Sequence, residues 1–199
     1  RRSAASIAAF RQTGRPIALV LTGTDLYRDI RTDPLAQASL AAADALVCLQ
    51  DQGPLRLDPS LRERTRVIYQ SAPQLNALPS RKRTIDLALV GHLRPEKDPL
   101  TAIEALAFVD DSRVRLLQIG EARDAMLGAA VRRASERDHR IVMLGGLTHA
   151  RTRGWIRRAR ALLLPSLMEG GADVVVEAAT SGVPVLGSGI EGSVGMLGE

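Results

Sequence analysis

"IDLALVGHLRPEKDPLTAIEALAFV", residues 85–109, decides the fold. Its opening nine residues are aliphatic apart from Asp86, Gly91 and His92, and the run reads as a strand over 85–93 buried on both faces. A charged turn follows. Asp98 then stands as an expected N-cap, Pro99 as the first helical residue, and the apolar spacing beyond predicts a helix over 98–109. A strand covered on both faces and followed at once by a helix belongs to a parallel α/β sheet.

The alternation continues outward from this unit. Strands are expected at 114–120, 140–146, 161–166 and 183–189, and helices at 122–136, 148–159 and 172–182. Upstream, "PIALVLTG" (16–23), "ALVCLQ" (45–50) and "RVIYQS" (66–71) read as strands, with a helix over 34–46. "SAPQLNALPSRKR" (71–83) is Pro-rich and polar, a linker. The expected organisation is therefore 1–72, the later part of one Rossmann-like domain; 73–84, linker; and 85–199, a second Rossmann-like domain. The chain starts at Arg1, and the first domain reads as lacking its opening strands, so a longer protein is expected.

With 199 residues, 45% hydrophobic and 25% charged, the composition is that of a globular chain. The net charge of +5 comes almost wholly from arginine, since lysine occurs only at 82 and 97. The basic residues are scattered (62, 64, 66; 81–83; 151, 153, 157, 158, 160) and aromatics make up only 3%, which argues against nucleic acid and suits a small anionic substrate. Cys48, the single cysteine, sits in an apolar run and reads as a core residue. No apolar run approaches 18 residues and no signal peptide is visible, so a cytoplasmic protein without a membrane span is expected.

"PSLMEGGADVVVEAATSGVPVL" (165–186) carries two acids, Glu169 and Glu177, around Gly170, Gly171 and Ala172. On one continuous helix, eight residues advance roughly 12 Å and turn roughly 80° past two full turns, so the carboxylates would hold two ends of a long ligand rather than one metal ion. The glycines are expected to expose backbone N–H groups to sugar or phosphate oxygens. The plainer alternative is a first-turn acid at 169 and a solvated one at 177. Asp173 reads as an ordinary early-helix acid. "VGHLRPEKDP" (90–99) adds His92, Arg94 and Lys97 in a strand-to-helix turn, where cations would meet a diphosphate; the alternative is a solvated surface turn.

Together the two motifs resemble the donor half of a GT-B-fold glycosyltransferase, over 85–190. The resemblance implies two Rossmann-like domains with parallel sheets facing across a cleft. It implies Glu177 on the ribose hydroxyls of a UDP-sugar, Glu169 on the donor sugar, and Lys97 with a neighbouring arginine on the diphosphate. His92 departs from the family pattern, which has arginine after the glycine; Arg94 is expected to supply that charge. Ala172 stands where glycine is more usual.

A narrower resemblance, resting on "LTGTDLYRDI" (21–30), "GHLRPEKDP", "SLMEGGADVVVEA" and "IEGSVGMLG" (190–198), is to the selenosugar synthases of selenoneine biosynthesis, the SenB family. It implies a UDP-sugar donor, UDP-N-acetylglucosamine ahead of UDP-glucose, and selenophosphate as acceptor. Thr24 and Arg28 are then acceptor-binding candidates and Asp25, with Glu169, a catalytic one. The alternative for Thr24 and Asp25 is a turn cap. An ionised selenophosphate needs no general base, which suits a sequence without a Ser-His-Asp or Cys-His arrangement. No Asp-x-Asp or His/Asp cluster at ligand spacing occurs, so neither metal nor cofactor is expected. His139 and His149 read as structural. Another GT-B acceptor, a UDP-sugar 2-epimerase and a non-catalytic binding protein remain as alternatives.

Overall fold

The structure is a computed structural model that describes residues 3–79 and 83–198. Arg81 and Lys82 of the expected linker lie outside the described residues. The chain packs as two units, Arg1–Gln70 with Met168–Ala172 and Gly189–Glu199, and Ser71–Leu167 with Asp173–Ser188. Residues 168–172 and 189–199, assigned above to the second domain, thus group with the first unit.

In the first unit, β1 (Ala18–Leu21), β2 (Ala45–Cys48) and β3 (Thr65–Val67) form a parallel sheet in that order, with Leu21 level with Cys48. The helices are α1 (Ala4–Arg11), the short α2 (Ile30–Thr32), α3 (Pro34–Ala42) and α4 (Pro59–Arg62). α3 starts where Asp33 accepts the N–H groups of Leu35 and Ala36, with Pro34 inside the first turn. Leu21, Leu26, Leu40, Leu46, Cys48 and Leu57 form the core. Burial pushes the Cys48 thiol up to about 11, so it is an inert core group at neutral pH.

The second unit is built on β4 (Ile85–Val90), β5 (Val114–Ile119), β6 (Ile141–Gly145), β7 (Ala161–Leu164) and β8 (Val185–Gly187). All pair in parallel, in the order β6-β5-β4-β7-β8. α5 (Pro99–Leu106), α6 (Ala125–Arg137), α7 (His149–Ile156) and α8 (Asp173–Ala179) connect them. Neighbouring residues of β4 serve opposite faces: Ala88 packs with Ile156, Leu162 and Ala178, and Leu89 with Ala102, Leu106 and Leu116. Two-sided burial is why these strands read as unbroken aliphatic runs.

Three expectations change. Asp98 does not cap α5: its backbone is left-handed (φ 41°) and its carboxylate accepts the Thr101 hydroxyl at 2.7 Å. No continuous helix joins Glu169 to Glu177, because α8 begins at Asp173. A final helix, α9 (Glu191–Leu197), covers a glycine-containing stretch that sequence periodicity left unassigned.

Candidate functional site

β4 is flanked by β5 on one side and β7 on the other, and the chain reverses its direction of travel across the sheet between β6 and β7. The carboxyl ends of β4 and β7 are therefore the switch point at which open α/β sheets bind ligands. Gly91–Lys97 leaves β4 there, and Pro165 and Ser166 leave β7.

The loop after β4 is stitched to the loop after β5. Gly120 has φ 148°, and a Cβ on it would lie 2.0 Å from the Gly91 carbonyl oxygen, so the two loops touch backbone to backbone. The buried Gln118 amide donates to the carbonyls of both Gly91 (3.2 Å) and Gly120 (3.3 Å). Leu93 N–H donates to Glu121, and Leu93 accepts from Arg123 and Asp124. His92 is held as well: its Nδ1 accepts the Glu121 N–H at 3.1 Å. A neutral ring so bonded carries its proton on Nε2.

Pro95–Lys97 forms one 3-10 turn, and Lys97 lays its aliphatic stem over Gly91. His92 and Lys97 come together with Gly91, Pro99, Leu164, Pro165 and Ser166 around a crevice of about 10 Å³. Arg94 does not line it; the side chain is half-exposed and lies 3.8 Å from Glu96.

A larger cavity, about 420 Å³, opens beside α8, lined by Ser71–Pro73, His149, Thr152, Arg153, Asp173, Val174 and Glu177. Glu177 is buried, contrary to a solvated helix acid, and its carboxylate bonds the imidazole Nε2 of His149. His149, read from the sequence as structural, makes this bond from α7 to α8. It is the first residue of α7, fixed there by the Thr148 cap and placed 28 positions from Glu177, beyond any sequence periodicity. Arg153 is buried in the same wall and donates to Pro73 O at 2.7 Å.

In the first unit, Thr24, Asp25 and Arg28 follow β1. Asp25–Asp29 is a π-helical turn, a form that recurs at functional sites. Asp25 accepts the N–H (2.9 Å) and hydroxyl (2.7 Å) of Thr22, so its carboxylate closes the turn. Arg28 is exposed and bonds Asp29 at 2.9 Å.

Glu169 is buried in this unit, and the glycines beside it allow close packing. A Cβ on Gly170 would lie 2.1 Å from Gly23 N, and one on Gly171 2.5 Å from the Leu49 side chain. The Ala172 N–H is taken by the Met196 sulfur at 3.1 Å. Among the described residues no group of three or more His, Cys, Asp or Glu side chains is placed to hold a metal, and no helix is long and apolar enough to cross a membrane.

With this geometry in hand, the sequence profile described as "Glycosyl transferases group 1" matches residues 84–198. The chain belongs to that glycosyltransferase family. The fold agrees. HepE of Anabaena, solved with UDP and glucose, superposes with a TM-score of 0.79 at 15% identity, over 96% of this chain and 58% of its own. Sucrose-phosphate synthase of Thermosynechococcus elongatus gives 0.75 at 20% identity, over 96% and 55%. The pneumococcal O-GlcNAc transferase GtfA, solved with UDP and GlcNAc, gives 0.62 at 16%, over 88% and 38%. These likenesses establish the GT-B-type parallel α/β fold, and the chain spans little more than half the length of HepE. No curated protein matches the sequence.

Proposed function

We propose that this chain carries the donor site of a UDP-sugar-dependent glycosyltransferase, and that its reaction transfers N-acetylglucosamine to selenophosphate. The observation that carries the donor reading is the meeting of His92 and Lys97 at the β4/β7 switch point, inside the segment that matches the family. Neighbours of the same fold were solved with UDP bound, which favours the same nucleotide here.

The chemistry breaks the bond between the anomeric carbon and the β-phosphate oxygen. The electron pair leaves with UDP, and a selenium lone pair of selenophosphate forms the new carbon–selenium bond. Negative charge grows on the diphosphate, and Lys97, the Nε2–H of His92 and Arg94 after rotation away from Glu96 would stabilise it without a metal ion. Glu177 would bind the ribose hydroxyls and Glu169 those of the donor sugar, as strong carboxylate–hydroxyl bonds. Asp25 would steady the positive charge at the anomeric carbon, and Arg28 with Thr24 would hold the selenophosphate oxygens. The reading keeps the expectation of a cytoplasmic enzyme.

The test is UDP release from UDP-N-acetylglucosamine and UDP-glucose, with and without selenophosphate, in buffer containing EDTA. Release that needs selenophosphate and survives EDTA supports the proposal. Release only with other acceptors would leave a glycosyltransferase of different product. Sugar interconversion without acceptor would replace it with an epimerase, and loss of activity in EDTA would overturn the metal-free mechanism.

A further inference from the structure

Glu177 presents a paradox for a ligand-binding acid. Its side chain is only 6% exposed, while the imidazole bonded to it is 74% exposed. Both residues line a cavity of about 420 Å³, where the exposed imidazole bonds the buried carboxylate. An ionised buried carboxylate without a donor is strongly disfavoured, so something must bond it in the empty protein. A carboxylate accepts only, so His149 is the donor, through Nε2–H. Asp173 from α8 and Arg153 from α7 are the other charged groups lining the cavity.

Resting on the donor-site reading above, we propose that His149 is a gate over Glu177. Its imidazole N–H stands in for a ribose hydroxyl in the free protein and is displaced when the nucleotide's vicinal diol arrives. The backbone of His149 is held by the helix start and the Thr148 cap, so opening is a side-chain rotation alone. Ligand and imidazole compete for one acceptor, and apparent donor affinity is lowered by the fraction of protein in the closed form.

The competition makes a specific chemical prediction. UDP has both ribose hydroxyls; 2′,3′-dideoxy-UDP has neither and gains nothing from an uncovered Glu177. Titration calorimetry of both nucleotides against wild type and His149→Ala is expected to show UDP binding about three- to tenfold tighter to the variant, the worth of one hydrogen bond, with the dideoxy nucleotide unchanged. His149→Gln, which keeps an N–H donor, is expected to stay within about twofold of wild type for UDP. A loss of UDP affinity in His149→Ala, an equal gain for both nucleotides, or a gain in the Gln variant equal to that in the Ala variant overturns the gate while leaving the donor site standing. Absence of UDP binding to wild type and His149→Ala alike removes the donor-site reading, and the gate with it.

Discussion

Lys97 and Arg94 sit three residues apart in one charged turn, yet the structure gives them different surroundings. Lys97 lines the crevice at the end of β4, whereas Arg94 lies beside Glu96. Lys97→Ala is therefore expected to lower kcat/KM for sugar transfer about a hundredfold, and Arg94→Ala less than tenfold, measured by UDP release at saturating acceptor. Gly170 carries a different burden. Alanine there would drive a methyl group into the Gly23 backbone, and about 1–3 kcal/mol of stability should disappear in urea unfolding. The charged turn was legible in the sequence because a strand and a helix bracket it. The role of the glycines was not. A missing Cβ announces that backbone will be approached, and nothing in the sequence says whether by a ligand or by the chain itself. Nor could the partner of Glu177 be read, because histidine at a helix start and glutamate in another helix share no periodicity.

At the level of elements, the arginine surplus finds its use. Arg64 donates to Leu40 O (3.1 Å) and to Ala43 O at the end of α3, and Arg62 to Leu55 O and Leu57 O. Arg140 reaches Leu106 O (3.1 Å) and Val109 O (2.6 Å) at the end of α5. Each guanidinium bonds carbonyls at the end of a helix or turn, where positive charge also suits the helix dipole; Leu40 O and Leu106 O accept a backbone N–H as well. These three arginines, far apart in sequence, thus do the same work at different element ends. Arg140→Met is expected to destabilise the second unit by about 1–3 kcal/mol and to speed amide exchange in the last turn of α5. The same guanidinium bonds Asp138 and holds its carboxyl below the ordinary value of 3.8, and Arg113 holds Asp111 down at about 2. Depressed carboxyls add stability above the unfolded pKa and lose it as pH falls through the folded one. Acid titration followed by circular dichroism should show the wild type losing stability from about pH 4 downward, with a weaker dependence in Arg140→Met. Strand and helix order was readable from apolar runs and turn residues. α9 was not, because glycines at 192 and 195 break the helical signal; both are there because Glu169 and Gln50 press against the helix.

For the whole molecule, the decisive fact is that neither unit is one continuous stretch. The first is completed by 168–172 and 189–199, where Gly170 meets Gly23, Gly195 meets Gln50 and Glu191 pairs with Arg56. A fragment ending at residue 79 is therefore expected to lack the cooperative urea transition expected of the full chain, followed by circular dichroism because the one tryptophan, Trp155, lies outside the fragment. The Pro-rich stretch stood out in composition, though residues 71–79, expected in part as a linker, group with the second unit. The later return of the chain did not stand out, because packing between distant segments leaves no local mark. The same connectivity governs recombination among relatives. A chimera spliced only at 73–84 would join the body of the first unit from one parent to closing segments bred against another. A transplant that respects the packing must take residues 168–172 and 189–198 from the parent that supplies 3–70.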